Sequence, residues 1–212
     1  MDNFITISNN IENEITVKKS KFICNLIKIE TQQEAEEQIK IIKKKYYDAR
    51  HNCVAYRVQE NDGIFEKASD DGEPSGTAGG PMLNILQKNN LCNVLVVVTR
   101  YFGGILLGTG GLVRAYSEST LNAIDLADKI EKCIGLEFQV TLDYNNFESF
   151  KYYCRKNRIN IINIEYTDII ICKIQLEEEK KAILVKDFET KNINLMELKF
   201  LSKKIINKSI GK

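Results

Sequence analysis

The fold of the first part of this chain is decided by Val94-Leu95-Val96-Val97-Val98-Thr99-Arg100-Tyr101-Phe102-Gly103-Gly104. Residues 94–99 are almost all valine and leucine, with no alternation of polar positions. Such a run predicts a central strand with both faces buried. Arg100 stands at the end of this strand, and the paired glycines after it predict a turn.

The flanking segments carry both strand and helix patterns. Thr31 followed by Glu34 forms a capping box, which marks the start of a helix. A loop punctuated by Gly and Pro spans 69–81. Mixed strands and helices around one buried strand indicate an α+β sandwich. We predict strands over 15–17, 22–29, 52–58 and 64–67, the last two as a hairpin, and helices over 31–47, 82–88 and 112–130.

The last part of the chain is more regular. Residues 136–142 alternate apolar and polar side chains, as a half-buried strand does. Thr167-Asp168 separates two β-branched runs and predicts a hairpin. The predicted strands 136–142, 159–166, 169–176 and 193–201 and helices 144–157 and 177–190 give the order βαββαβ, which is ferredoxin-like. We therefore predict two α+β domains, 1–134 and 135–212, with a boundary at Gly135.

Charge and cysteine usage narrow the function classes. The net charge is +1, with 16 basic and 18 acidic residues before Gly135 and 14 and 11 from there on. No global field favours nucleic acid or an anionic membrane, so any anion site must be local. Six scattered cysteines with a single histidine fit no ordinary zinc pattern and indicate a reducing compartment. With no signal-peptide or membrane-span pattern, we expect a soluble, cytosolic protein.

Glycine is concentrated in one region. Nine of the twelve glycines lie between Gly72 and Gly111, together with both prolines. Ordering each glycine costs about 0.4–1 kcal/mol more than ordering alanine. We interpret the cluster as a backbone surface that a ligand approaches closely, with turns and packing as the open alternative.

The charges in this region favour an anionic ligand. No Asp or Glu occurs from 82 to 117, where the charged residues are Lys88, Arg100 and Arg114. Gly108-Thr109-Gly110-Gly111 precedes a helix, whose free N–H groups attract anions. The alternatives are an ion pair of Arg100 with Asp70 or Asp71 and an exposed helical Arg114. Neither the P-loop nor the Rossmann pattern is matched.

The loop over 69–77 holds three carboxylates. Asp70, Asp71 and Glu73 are candidates for magnesium ligands or a catalytic base, although we favour capping and ion pairing. His51 and Cys53 share one strand face, yet a structural histidine is the preferred interpretation over a thiol enzyme. The predicted ligand-binding residues are His51, Asp70, Asp71, Glu73, Ser75, Thr77, Arg100, Tyr101, Phe102, Gly103, Gly104, Gly108, Thr109, Gly110 and Arg114.

A second basic cluster lies at the end of the helix over 144–157. Lys151, Arg155, Lys156 and Arg158 occur there with two interleaved tyrosines. Basic and aromatic side chains on one face suit RNA. The alternative is that these cations complement the helix C-terminus.

Four segments of the first part form an ordered set of motifs. They are Asp48-Ala49-Arg50-His51-Asn52-Cys53, Ser69-Asp70-Asp71-Gly72-Glu73-Pro74-Ser75-Gly76-Thr77-Ala78-Gly79, Val94 to Gly108, and Gly108-Thr109-Gly110-Gly111-Leu112-Val113-Arg114-Ala115-Tyr116. Together they resemble the signature of the YigZ/IMPACT family. Residues 135–212 resemble the C-terminal domain of bacterial members, with weaker motifs. Gly80 departs from the pattern, since many members carry a basic residue there, and this puts an anion contact at that position in doubt.

The resemblance implies a fold and a partner class. The first domain would share the fold of the second domain of a small-subunit ribosomal protein. With a ferredoxin-like second domain, the pair is similar to domains IV and V of elongation factor G, which contact the ribosome. Eukaryotic relatives regulate translation initiation through an additional N-terminal domain, so their partner is not transferred to this chain.

The leading hypothesis is a cytosolic binding module that contacts RNA, the ribosome or a translation-related protein through the surface around Arg100 and Arg114. One alternative is an enzyme that acts on an anionic small molecule with the Asp70, Asp71 and Glu73 loop. Another is a protein-interaction module that docks a peptide near Tyr101 and Phe102. We expect no cofactor and no resident metal.

Overall fold

The computed structural model describes residues 3–60 and 63–208. The chain divides into two compact units, Phe4–Ile130 and a second made of Glu131–Lys212 with the first three residues. Gly135 itself lies inside a strand. The α+β class with two domains is confirmed.

The first unit is built on a five-stranded antiparallel sheet. Its strand order is β2-β3-β6-β4-β5. The elements are β1 (Phe4–Ile7), β2 (Ile11–Val17), β3 (Ser20–Lys28), α1 (Gln32–Lys45), β4 (His51–Glu60), β5 (Gly63–Ser69), α2 (Gly79–Lys88), β6 (Val94–Tyr101) and α3 (Thr109–Leu126).

Strand β6 is central and buried on both faces, as the valine run predicts. Val94, Val96 and Val98 pack in the core that α2 and α3 cover. Leu95 and Val97 pack in the opposite core, under α1. Successive side chains of a strand point to opposite faces, so a strand between two helical layers needs apolar residues at every position. The helices on the two faces of the sheet thus hold β6, the strand that ends with Arg100 and Tyr101, in place.

The start of α1 follows the capping signal in the sequence. The Thr31 side chain accepts a hydrogen bond from the Glu34 N–H at 3.0 Å. The Glu34 carboxylate accepts from the Glu30 N–H at 2.7 Å, one residue before the position that a capping box requires. Three lysines in the last turn complement the helix dipole.

The second unit has the predicted ferredoxin-like arrangement. Its elements are β7 (Lys129–Leu142), α4 (Tyr144–Lys156), β8 (Asn160–Tyr166), β9 (Ile170–Glu177), a 3-10 turn (Glu178–Lys180), α5 (Lys181–Glu189) and β10 (Glu197–Asn207). Antiparallel pairs place these strands in the order β10-β7-β9-β8. Apolar residues of β7 and β9 form one core with the two helices.

Several predicted boundaries were wrong. Strand β1 was missed because four residues carry too little periodicity. The helix predicted to reach 130 ends at Leu126, since Ala127 is extended and the Asp128 carbonyl accepts from the Ser8 N–H. The last strand begins at Glu197 rather than 193, because Ile193 is held in the preceding turn by its bond to the Asp187 carbonyl. Among the described residues, the helices lack the length and apolar character needed to span a bilayer.

Candidate functional site

A cleft opens where β4 begins and β6 ends. We call it the β4–β6 cleft, and its volume is about 610 Å³. That volume lies within the range of small-ligand sites, about 300–1,000 Å³. Its lining residues are Asp48, Arg50, His51, Arg100, Tyr101, Phe102 and Leu106.

Arg100 forms a buried ion pair at this cleft. Its Nη1 lies 2.7 Å from Oε1 of Glu73, and the two side chains are 8% and 3% exposed. The Tyr116 hydroxyl donates to the same carboxylate oxygen at 2.8 Å. The sequence alternative of an ion pair is thus realised, with Glu73 as the partner rather than Asp70 or Asp71. Nε of Arg100 is buried and has no hydrogen-bond partner among the described residues.

Two aromatic rings accompany the Arg100 guanidinium. Its carbon lies 5.6 Å from the ring centre of Phe22 and 5.6 Å from that of Phe102. Both distances suit cation–π attraction. His51, Arg100 and Phe22 are direct cross-strand neighbours, so they share one sheet face. Phe22 is fully buried, whereas the Phe102 residue is 53% exposed.

Tyr101 points to the other sheet face and engages Asp48. Its hydroxyl donates to the Asp48 carboxylate at 2.7 Å. That hydrogen bond, with burial and the carboxylate charge, raises the pKa of Tyr101 to about 12. The one acidic residue in the cleft therefore has a donor of its own.

Arg50 precedes β4 and is exposed. Within residues 3–60 and 63–208, its guanidinium has no ion pair or hydrogen bond. Arg50, Asp48 and Leu106 were absent from the predicted site. The sequence could have indicated Arg50 as a site residue, because it adjoins His51 at the start of a strand.

The carboxylates of the acidic loop, residues 69–77, hold it in place through hydrogen bonds. Asp70 accepts from the backbone N–H groups of Gly76, Ala78 and Gly79 at 2.8–2.9 Å. Burial opposes its ionisation, yet these three donors hold the pKa of the Asp70 carboxyl below its usual range. Thr77 donates its hydroxyl to the Pro74 carbonyl, while Ser75 is exposed.

Asp71 is also occupied. One oxygen pairs with Lys43 at 2.6 Å, and the other accepts from the Asn52 N–H at 2.7 Å. No group of three or more potential metal ligands occurs within the described parts of the chain. The structure thus gives each of the three carboxylates the capping or pairing role that we favoured from the sequence.

His51 and Cys53 do not form a catalytic pair. His51 Nδ1 lies 2.9 Å from the Asp71 carbonyl, which can only accept, so Nδ1 carries the proton. The Cys53 thiol contacts the Asp70 carbonyl at 3.0 Å and the Tyr116 hydroxyl at 3.3 Å. Burial raises the pKa of Cys53 to about 12, which keeps the thiol protonated and a poor nucleophile.

The glycines have several different causes. A Cβ on Gly103 would lie 2.0 Å from the Lys19 backbone, and one on Gly79 would lie 2.5 Å from the Ser69 backbone. Gly104 and Gly108 have φ of +86° and +72°. These glycines serve packing and turns, the alternative explanation for the cluster. Gly110 has open space and no positive φ, so neither cause applies to it.

The predicted site residues thus fall into separate groups. The cleft contains His51, Arg100, Tyr101 and Phe102. No residue at the start of α3 lines the cleft. The helix begins after Gly108 without a side-chain cap, and Arg114 Nε donates to the Gly110 carbonyl at 3.2 Å.

The basic residues of the second unit are differently placed. Lys151 pairs with Glu148 at 2.5 Å and lies over the Phe147 ring. Arg155 and Lys156 are exposed in the last turn of α4, where they complement the helix dipole. Arg158 follows with φ of 54°. Lys156 lines two small clefts, of about 360 and 280 Å³.

Comparison with known proteins identifies the family. The Impact N-terminal domain model matches residues 18–124, and a domain of unknown function (DUF1949) matches residues 140–188. The IMPACT family member YvyE of Bacillus subtilis is 41% identical over 180 residues, which cover 85% of this chain and 82% of that protein. This chain belongs to the IMPACT family. The family member YigZ of Escherichia coli is 34% identical over 167 residues, 78% of this chain and 82% of its own.

A solved structure supports the two-domain fold of this IMPACT protein. It is a crystal structure described as that of a hypothetical protein, with a TM-score of 0.62 and 30% identity. The alignment covers 95% of this chain and 98% of the other. The cleft residues Arg50, His51, Arg100 and Phe102 all lie within the part that the Impact N-terminal domain model matches.

Proposed function

We propose that this IMPACT protein is a translation-associated factor that binds RNA, on its own or within the ribosome, through the β4–β6 cleft. The observation that carries the proposal is the unpaired Arg50 guanidinium at the rim of a cleft that also holds Arg100 and Phe102. Membership of the IMPACT family favours a regulatory role in translation.

The cleft chemistry supports RNA over a neutral ligand. Arg50 offers an unpaired cation. The charge of Arg100 is balanced by Glu73, but its Nε has no hydrogen-bond partner among the described residues. Arginine and exposed aromatic rings are the side chains that proteins use for phosphates and unstacked bases. Because the first part of the chain has a slight acidic excess, its net charge gives no general attraction for RNA, and a local cation such as Arg50 has to supply it.

The carboxylates do not favour the enzyme alternative. Asp70 is bound by three backbone donors, Asp71 by Lys43 and Asn52, and Glu73 by Arg100 and Tyr116. A general base must reach its substrate with a free lone pair, and a metal ligand must give up its present donors. Each carboxylate would have to abandon a structural bond to act.

A protein-binding role has one observation in its favour. Ile105 and Leu106 are 43% and 82% exposed in the loop beside the cleft. Exposed apolar residues of this kind occur at docking surfaces. An Ile105→Ser variant would weaken binding to ribosomes but not to naked RNA if the loop docks on a ribosomal protein.

The test measures binding of purified ribosomal subunits and fluorescein-labelled ribosomal RNA fragments by wild type and Arg50→Ala. We expect Arg50→Ala to weaken binding and to lower the slope of log affinity against log salt by about 0.7, the value for one lost contact to a single strand. Lys88→Ala removes another exposed positive charge, at the end of α2, and should behave as wild type. Equal binding and equal slopes for wild type and Arg50→Ala would contradict the proposal.

A further inference from the structure

We propose that the β4–β6 cleft takes one nucleotide of single-stranded RNA, with the base stacked on Phe102 and its phosphate at Arg50. This inference rests on the proposed function and specifies the form of RNA that the cleft accepts. It assigns separate tasks to two side chains that line the same cleft.

Phe102 is arranged as a stacking platform. The Arg100 guanidinium carbon lies 5.6 Å from the centre of the Phe102 ring, and the Phe102 residue is 53% exposed. An aromatic ring supported by a cation and open to solvent can receive a base, whatever its sequence, because every base has a π-face. Glu73 fixes the supporting cation through its 2.7 Å ion pair, so the platform is preorganised.

Arg100, which lines the cleft, also has an unfilled hydrogen-bond donor. Nε is buried and has no partner among residues 3–60 and 63–208. A buried donor without an acceptor is costly and rare in folded proteins. A polar base edge or ribose hydroxyl that enters beside Phe102 would provide the missing acceptor. This orphan donor is a second observation, independent of Arg50, that points to a ligand.

Arg50 completes the site as the phosphate contact. Its guanidinium is exposed and, in the described part of the chain, unpaired. The acidic neighbour Asp48 is engaged by the Tyr101 hydroxyl, which reduces its competition for Arg50. Tyr47, which is 85% exposed and precedes the cleft residue Asp48 in the chain, offers a further ring near the cleft.

The geometry selects single strands. A duplex keeps its bases stacked inside, where Phe102 cannot reach them, whereas an unpaired base can be splayed out and stacked. A cleft of about 610 Å³ has room for one nucleotide, not for a helix about 20 Å wide.

The experiment uses the absence of tryptophan from this sequence. Phe102→Trp places a single tryptophan at the platform of the full chain, and its emission can be excited selectively over that of the nine tyrosines. Fluorescein-labelled decauridylate, decaadenylate and a 10-base-pair RNA duplex are the probes for anisotropy, and their unlabelled forms are the quenchers. We expect Phe102→Trp, which keeps an aromatic face at the platform, to bind both single strands and its emission to be quenched by them. Phe102→Leu should bind them about 5- to 150-fold more weakly, the loss typical of one stacked base.

Ile105→Ala is the matched control, since Ile105 is exposed in the same loop but does not line the cleft. Full affinity of Phe102→Leu, no quenching, or duplex binding as tight as that of single strands would overturn the inference. If RNA binding still depended on Arg50 in that case, the proposed function would stand. No binding of any RNA or ribosomal particle would overturn both.

Discussion

Arg100 at the end of β6 and Glu73 in the acidic loop form a buried ion pair with 2.7 Å between Nη1 and Oε1. Tyr116 of α3 joins it by donating to the same oxygen. Three parts of the first unit, the sheet, the loop over 69–77 and α3, therefore meet at one carboxylate. The pair fixes the guanidinium on which the Phe102 platform depends.

We expect Glu73→Ala to lower the free energy of unfolding by about 3–5 kcal/mol, because it leaves the Arg100 charge buried without a counterion. Urea unfolding followed by circular dichroism measures this change. Glu118→Ala, at an exposed position of α3, should change it by less than about 0.5 kcal/mol. A loss below about 1 kcal/mol for Glu73→Ala would contradict a buried, uncompensated charge.

The sequence predicted the fold better than the site. The unbroken apolar run at 94–98 predicted a strand covered on both faces, and the βαββαβ order followed largely from the alternation of apolar and polar residues. The sequence could not distinguish residues that line a cleft from residues that pack or cap, because that difference depends on three-dimensional contacts. Nothing in the sequence shows that Gly103 lies against the Lys19 backbone, or that Asp70 faces three N–H groups.

The Asp70 carboxyl predicts a specific pH dependence. Its pKa is lower in the folded chain than its ordinary value of 3.8, so its ionised form stabilises the fold. That stabilisation is fully present above the unfolded-state pKa and is lost as pH falls through the folded-state pKa. We expect wild type to be more stable than Asp70→Asn at pH 7, with the difference shrinking below about pH 4.

Urea unfolding of both proteins from pH 7 to pH 2.5 measures that difference. For Asp125→Asn, at an exposed position of α3, the stability difference from wild type should not depend on pH in this way. A stability difference between wild type and Asp70→Asn that stays constant over the whole range would show that the carboxylate is not held by the loop donors.

Alanine substitution at two glycines, Gly103 and Gly110, should change the stability of the fold in opposite directions. Gly103→Ala places a Cβ 2.0 Å from the Lys19 backbone and should destabilise the fold by several kcal/mol or prevent folding. Gly110→Ala fills open space in the first turn of α3 and should stabilise it by up to about 1 kcal/mol. Thermal unfolding tests both changes. A destabilised Gly110→Ala would reveal a constraint that the packing at this position does not account for.

The six cysteines should be unreactive in the folded protein. All are buried free thiols, and burial raises the pKa of Cys24, Cys53 and Cys154 to about 12. At pH 8 they stay protonated, so a thiol reagent such as dithionitrobenzoate should label none of them until a denaturant is added. Rapid labelling of Cys53 alone in the native state would reopen the case for a reactive thiol.

The most direct test of the central claim is a nuclear magnetic resonance titration of the 15N-labelled chain with decauridylate. Binding at the β4–β6 cleft should shift the amide signals of His51, Arg100 and Phe102 in a saturable way, and Arg50→Ala should reduce those shifts at the same RNA concentration. Shifts confined to Arg155 and Lys156 at the end of α4, or no saturable shifts at all, would contradict the cleft as the RNA-binding site.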